Sequence, residues 1–119
     1  FAAPPPEITQ SEGTPALEND AELTSLVSES FRKVLGSSNV LPMPPVMGGE
    51  DFSQYGLAGV PIVMYRLGVI SPERLSRYET LGGNPPSLHS PTFYADPQEA
   101  LKVGILTMAT ATMDLLPRP

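Results

Sequence analysis

Proline is the residue that most restricts how this chain can fold. The 119 residues include 15 prolines, and most of them fall into four groups along the chain. Proline has no amide hydrogen and favours an extended conformation in the residue before it, so each group interrupts helices and central strands. The groups divide the chain into short pieces and argue against an all-helical protein. They lie at positions 4–6, 42–45, 85–86 and 117–119.

Composition narrows the classes of protein that remain. The length suits one domain with a modest core, and 40% of the residues are hydrophobic, which is ordinary for a globular protein. The net charge of −6, with scattered basic residues, argues against nucleic-acid binding. No apolar run reaches the roughly 18 residues of a membrane span, and no signal peptide is recognisable. The compartment stays open, with the cytoplasm favoured.

Two amphipathic helices are expected from periodicity and capping signals. Asn19 and Glu22 resemble a capping box, Gly36 is a typical terminator, and the pattern between them predicts a helix over residues 20–35. Asp96, Pro97 and Glu99 form a similar start, which predicts a helix over 96–116. The apolar faces comprise Leu23, Leu26, Val27, Phe31, Val34 and Leu35 in the first helix, and Leu101, Ile105, Met108, Thr112, Leu115 and Leu116 in the second. Both faces are expected to lie on one sheet.

The region between these helices is expected to contain two strands and a short helix. Residues 40–47 indicate a proline-interrupted edge strand, and residues 61–67 are a short apolar run typical of a buried strand. A short helix is expected to open near Glu50, and a helical turn near 72–78. The order helix, strand, short helix, strand, helix predicts an α/β layered fold.

Two groups of residues could carry chemistry. His89 is the one histidine, and imidazole is a common zinc ligand, although a lone histidine is more often an ordinary surface residue. In the stretch Met47-Gly-Gly-Glu-Asp-Phe52, the glycines could expose backbone amides to an anion, and the carboxylates could act as bases or metal ligands. Glu50 and Asp51 could equally be ordinary acids in a first helical turn. The residues alone leave these alternatives open.

Four stretches in this order resemble one enzyme family. They are Glu18-Asn-Asp-Ala-Glu-Leu23, Met47-Gly-Gly-Glu-Asp-Phe52, Val60-Pro-Ile-Val-Met-Tyr65 and Leu88-His-Ser-Pro-Thr-Phe93. The chain is similar over residues 13–116 to two-metal amidohydrolases of the aminoacylase and carboxypeptidase superfamily. The resemblance is to the branch with hippurate hydrolases, N-acyl-amino-acid amidohydrolases and plant auxin-conjugate hydrolases.

The resemblance implies a position in a larger catalytic domain. Residues 1–18 would be the crossover from a lid or dimerisation domain, and residues 19–116 the C-terminal segment of the catalytic domain, its sheet incomplete without the N-terminal half. His89 would be a metal ligand. Gly48, Gly49 and Glu50 would line the substrate site, while Asp51 would brace the loop. No residue of this segment is assigned a catalytic role.

The implied reaction is hydrolysis of the amide bond in an N-acyl amino acid or a similar conjugate by a metal-activated water. The parent would hold two divalent ions, with zinc, manganese, cobalt and nickel not distinguished. Its partners would be the N-terminal half, the substrate and a second copy, but neither nucleic acid nor membrane. The isolated chain is expected to be inactive and to bind no metal tightly. The alternative is a non-catalytic binding or interaction module with the same α/β fold.

Overall fold

Helices and irregular segments make up the part of the chain that the computed structural model describes, residues 4–10 and 13–116. These residues contain no strand and no sheet, so the prediction of an α/β layered fold was wrong. The elements are α1 (Ala21–Leu35), a short 3-10 helix (Ser37–Asn39), α2 (Ser53–Leu57), α3 (Pro72–Thr80) and α4 (Pro97–Leu115).

The two predicted strands failed for different reasons. Residues 41–49 are exposed, and their prolines lack the amides that a strand needs for pairing. Residues 61–67 are not helical, but they have no neighbouring strand in the described chain. Ile62 is buried, whereas Met64 is 37% exposed, so this segment is not covered on both faces. The apolar run therefore correctly predicted that Ile62 is buried, but it did not predict the structure around it, which is not a sheet.

An asparagine side chain takes the place that a partner strand would occupy. The Asn19 Nδ2 donates to the Met64 carbonyl at 2.9 Å, and the Met64 amide donates to Asn19 Oδ1 at 2.8 Å. The Asp20 amide donates to the Ile62 carbonyl at 2.8 Å. These bonds fix residues 61–67, called the extended segment below, beside the start of α1.

Helix α1 begins one residue later than its sequence pattern predicted. Asp20, not Asn19, is the N-cap, and its Oδ1 accepts from the Leu23 amide at 2.8 Å, which satisfies one of the free amides of the first turn. Asn19 is engaged with Met64 instead. The predicted end is confirmed, since Gly36 has a φ of 83° and its amide donates to the Arg32 carbonyl.

A small core forms where α1, the extended segment and α4 meet. Val27, Phe31 and Ile62 are its buried apolar residues. The Tyr65 ring meets Phe31 edge-on, with ring centroids 4.8 Å apart. The Tyr65 hydroxyl lies 3.0 Å from the Thr107 Oγ1, and that threonine is only 1% exposed. One tyrosine thus joins all three elements.

Helix α4 packs on a different face from the one expected. Thr107 is buried and Gly104 approaches the Leu67 side chain, while the Asp114 carboxylate accepts from the Ser30 hydroxyl at 2.6 Å. The larger apolar residues point away, with Ile105 68% exposed. The small residues Gly104 and Thr107 lie on the packed face, where they contact Leu67 and Tyr65. The predicted burial of the Leu101 to Leu116 face was therefore wrong.

Two predictions concern the start and the end of α4. Pro97 occupies the first turn of α4 as expected, but the Asp96 side chain makes no capping bond, so the predicted capping box does not form. Pro117, expected to stop the helix, lies outside the described residues, as do positions 1–3 and 11–12 of the predicted crossover. No described helix combines the length and apolarity needed to cross a membrane.

Truncation of Phe31 should expose the dependence of the fold on this small core. We expect Phe31→Ala to cost about 3–5 kcal/mol of the free energy of unfolding, because it removes a buried ring and its contact with Tyr65. Leu81, which is 82% exposed, supplies the control, and Leu81→Ala should change stability by less than about 0.5 kcal/mol. Urea unfolding followed by circular dichroism measures both. Equal effects of the two changes would contradict the proposed core.

Candidate functional site

The histidine loop places an imidazole in solvent on an uncommon backbone conformation. His89 is exposed, and its φ of 73° makes it the one residue other than glycine with a positive φ in the described chain. The Ser90 amide donates to the Ser87 carbonyl at 2.9 Å, which closes a turn around His89. Left-handed backbone costs a non-glycine residue of order 1 kcal/mol, and such residues often occur at functional sites.

Further local hydrogen bonds shape the chain after His89. The Phe93 amide donates to the Ser90 carbonyl at 3.0 Å, and the Thr92 amide donates to the Ser90 Oγ at 3.3 Å. Two consecutive turns therefore hold the segment between α3 and α4. Since the loop is organised by its own backbone, the exposed imidazole does not depend on a buried neighbour for its position.

An ion pair anchors the end of this loop to α3. The Arg74 Nη1 donates to Asp96 Oδ1 at 2.7 Å, and its Nη2 donates to the Tyr94 carbonyl at 2.9 Å. The guanidinium also lies 5.2 Å from the centre of the Tyr94 ring, within the range of a cation–π contact. The other Asp96 oxygen accepts from the Ser71 amide at 2.6 Å. Both ends of the loop region are thereby fixed at one carboxylate.

This arrangement changes the ionisation of both partners. The hydrogen bond from the Ser71 amide, followed by that from Arg74, lowers the pKa of the Asp96 carboxyl from its ordinary value of 3.8. The hydrogen bond to Asp96 raises the pKa of the Arg74 guanidinium. Each bond favours the charged form of the group concerned. The anchor is therefore fully formed at neutral pH.

The glycine and acid stretch lies on the surface beside residues 13–14. Gly48 and Gly49 are exposed and Glu50 is half-buried. A side chain added at Gly49 would collide with the Thr14 hydroxyl, whereas Gly48 has open space around it. The Glu50 carbonyl accepts from the Ser53 hydroxyl at 2.6 Å. Helix α2 therefore begins at Ser53, three residues after the predicted opening, with Glu50 in the turn before it.

A cleft of about 540 Å³ lies between the start of α1 and the connection from α2 to the extended segment. Its walls include Asn19, Asp20 and Ser53. Neither Gly48 to Glu50 nor His89 lines it. This cleft is thus separate from every residue that the sequence analysis assigned to substrate or metal.

The described residues do not provide a complete metal site. They contain no group of three or more histidine, cysteine, aspartate or glutamate side chains placed to hold an ion. A catalytic zinc site usually uses about three protein ligands, and His89 supplies one at most. No catalytic step can be assigned to a metal held by this chain alone.

Sequence reasoning did not identify the Arg74 to Asp96 anchor. Asp96 was interpreted as a helix cap because it precedes Pro97, and Arg74 stood in a polar stretch without a pattern. The two residues are 22 positions apart, a separation that no helical or strand period links. The one signal in the sequence was the pair of opposite charges themselves, at either end of a polar segment.

Acid should weaken this anchor. The depressed pKa of Asp96 means that its contribution to stability is present above the ordinary carboxyl pKa and is lost as pH falls through the lower folded value. Thermal unfolding measured from about pH 6 down to about pH 2 should show a fall in stability that is smaller in Asp96→Asn. Asp51→Asn, which alters an exposed acid, is the control. An unchanged acid profile in Asp96→Asn would contradict this account.

Comparison with known proteins gives the chain a family. The sequence profile described as peptidase family M20/M25/M40 matches residues 6–114. A probable hydrolase of Synechocystis sp. (strain ATCC 27184 / PCC 6803 / Kazusa) is 33% identical over 106 residues, which cover 88% of this chain and 24% of the relative. No solved structure matches the chain significantly.

A second relative carries a different name. It is a protein of Rhodococcus jostii (strain RHA1), provisionally named glutamate–cysteine ligase 2-3, that is 31% identical over 106 residues. The match covers 89% of this chain and 12% of the relative. The chain thus spans about a quarter and about an eighth of these two proteins. Because the family profile covers nearly the whole sequence, the chain belongs to peptidase family M20/M25/M40.

Proposed function

We propose that this chain is the C-terminal segment of the catalytic domain of a metal-dependent hydrolase that cleaves the amide bond of N-acyl amino acids or similar conjugates. In this proposal its activity would resemble that of the hippurate, N-acyl-amino-acid and auxin-conjugate hydrolases. The observation that carries the proposal is His89, an exposed imidazole on left-handed backbone within the family match. A backbone strain at an exposed histidine needs a reason, and a role in binding supplies one.

In this proposal His89 contributes one ligand to a site with two divalent ions. Zinc, manganese, cobalt and nickel are the candidate ions, and of these an imidazole suits zinc and nickel best. The other ligands and the general base would come from the longer protein, since the described residues contain no further cluster of ligand side chains. M20 peptidases generally depend on metal, which supports a ligand role for the single histidine.

Gly48, Gly49 and Glu50 are proposed to form part of the substrate wall. Gly48 and Gly49 are exposed and Glu50 is half-buried, so the glycine backbone and part of the Glu50 side chain are accessible to a ligand. Gly49 also lies against the side chain of Thr14, whose hydroxyl would have to move if position 49 carried a side chain. The wall and residues 13–14 are therefore proposed to be positioned together, while Asp51 remains an exposed acid at the start of the α2 turn.

The alternative is a non-catalytic binding or interaction module. One observation favours it: the single histidine stands without two further ligand side chains in the described part of the chain. Membership of a peptidase family over residues 6–114 makes hydrolysis the better proposal.

Substitution of His89 in the longer protein separates binding from folding. We expect His89→Gly to lower amidase activity at least about 100-fold and to reduce bound metal, because a two-metal site loses a ligand and its geometry. Stability of the apo-protein should hold or rise by about 1 kcal/mol, because glycine relieves the positive φ. Metal analysis, hydrolysis of an N-acyl amino acid and thermal unfolding give the three measurements.

His89→Ala is the matched variant for that experiment. It removes the same imidazole but keeps a side chain on the left-handed backbone, so it should lose activity equally without the gain in stability. Full activity and full metal content in both variants would overturn the ligand assignment. Loss of activity with loss of folding in His89→Gly would mean that the residue acts structurally.

The isolated chain should lack both tight metal binding and turnover. Titration calorimetry with zinc or manganese is expected to give no site tighter than about micromolar, since one imidazole cannot match a cage of several ligands. Light scattering should show self-association, because exposed apolar surface promotes it. Stoichiometric tight binding with hydrolysis of an N-acyl amino acid would contradict the proposal, and would assign chemistry to Glu50 or Asp51.

A further inference from the structure

Helix α3, together with the residue that follows it, carries a small pocket that the proposed function does not use. It is called the α3 pocket below, has a volume of about 240 Å³ and is lined by Arg74, Arg77, Tyr78 and Leu81. The spacing of these residues places them on one face of the helix over two turns. The volume lies below the range of roughly 300–1,000 Å³ that is typical of sites for drug-sized molecules. A ligand of this pocket is therefore small.

The α3 pocket is positively charged within an acidic chain. Two of the seven basic residues line it, and no acidic residue of the described chain does. Arg74 is paired with Asp96 at 2.7 Å, so Arg77 leaves one net positive charge. In the described chain Arg77 has no carboxylate within 4.0 Å, although Glu73 lies one turn before it. One net charge suits a monoanion better than a dianion such as phosphate.

Arg74 is held in place without a ligand. Its guanidinium donates to Asp96 and to the Tyr94 carbonyl, and only 23% of its side chain is exposed. The pKa of this guanidinium is raised first by the hydrogen bond to Asp96 and further by Tyr78, whose hydroxyl faces the same charge. A group that is already ordered loses little entropy on binding. Arg77 is exposed, and its planar guanidinium can offer a carboxylate two parallel N–H donors.

Tyr78 and Leu81 give the α3 pocket an apolar side. Tyr78 is half-buried, and Leu81 is 82% exposed, so both present carbon that a ligand can cover. Removal of apolar surface from water favours binding. A hydrated inorganic anion gains nothing from such a surface, whereas an organic acid with a hydrocarbon group does. Charge and lining together favour a carboxylate that is attached to a small apolar group.

We propose that the α3 pocket binds small monocarboxylates that carry an apolar group, such as benzoate. Arg77 pairs with the carboxylate, the fixed guanidinium of Arg74 adds positive charge beside it, and Leu81 covers the apolar group. His89 does not line this pocket, and neither does the proposed substrate wall. The proposal does not rest on the proposed function, since it requires neither a metal nor an amide.

Benzoate binding to the metal-free longer protein tests this proposal. Removal of metal with a chelator excludes binding of the carboxylate to an ion, and saturation-transfer NMR at neutral pH follows benzoate itself. We expect saturable binding with a Kd on the order of 1 mM, the strength of a few contacts to so small a ligand. Arg77→Gln should weaken it at least about tenfold, because the charged donors are lost. Arg77→Lys keeps the charge but not the planar pair of donors, so it should weaken binding about threefold.

Two controls separate the α3 pocket from the rest of the surface. Arg32→Gln removes the same charge from an exposed position in the last turn of α1, and it should leave the Kd within about twofold because distant charges are screened. Leu81→Ala should weaken benzoate about threefold but leave acetate unchanged, since acetate has little apolar surface. Because Arg77 and Leu81 are exposed, their variants should keep the unfolding temperature within about 2 °C.

The outcomes are distinct. Benzoate binding that is lost in Arg77→Gln and kept in Arg32→Gln supports the proposal. The proposal fails if no saturable binding occurs up to about 20 mM, if both variants weaken binding equally, or if Arg77→Gln binds as the unaltered protein does. Displacement of benzoate by an equal concentration of inorganic phosphate would indicate an adventitious ion only, and would also overturn it.

Hydrolysis of N-benzoylglycine by the metal-loaded protein shows which carboxylate the pocket serves. This amide and the benzoate that it releases both carry a carboxylate and a ring. A raised KM with unchanged kcat in Arg77→Gln supports the proposal with the substrate as the source. An unchanged KM with benzoate binding lost supports it with a free acid as the source. Substitution of His89 does not affect binding to the metal-free protein, so this proposal and the proposed function can fail separately.

Discussion

The described structure depends on the contacts of one tyrosine. Tyr65 packs edge-on against Phe31 of α1 and shares a hydrogen bond with the buried Thr107 of α4. Because the Thr107 hydroxyl also donates to the Val103 carbonyl at 2.8 Å, it is satisfied from both sides, and leaving such a group without partners would cost about 1–3 kcal/mol. The extended segment that carries Tyr65 is in turn held by Asn19 and Asp20. These few bonds substitute for a sheet.

The position of His89 depends on this framework indirectly, through the two helices that flank its loop. Helices α3 and α4 are joined by the Arg74 to Asp96 ion pair, and the loop between them carries His89. The loop supplies its own turns, so the helices set where it begins and ends while local hydrogen bonds set the backbone conformation around His89. An imidazole presented on such a loop can meet groups from another part of a protein. That arrangement suits a site assembled from distant segments of one chain.

The exposed apolar residues of α4 and the exposed imidazole are both features that the proposed function would account for. Leu101, Ile105 and Met108 are exposed on α4 and His89 is exposed on its loop, and in that proposal both would meet groups of a longer protein. Membership of peptidase family M20/M25/M40, together with relatives several times longer, supplies one explanation for both.

Local chemistry in the sequence determined the helices. Capping residues, prolines and apolar periodicity act within a few positions of the chain. The bounds of α1, α3 and α4 were therefore predicted to within about two residues. His89 was proposed as a metal ligand from the family resemblance, and that role stays a prediction. The sheet was predicted wrongly, since an apolar run records a tendency to be buried but not the identity of its neighbour. Only the tertiary structure decided that Asn19 pairs with Met64, that Asp96 pairs with Arg74, and that α4 packs through its small residues. Those choices depend on distances between residues far apart in the chain, and no local period encodes them.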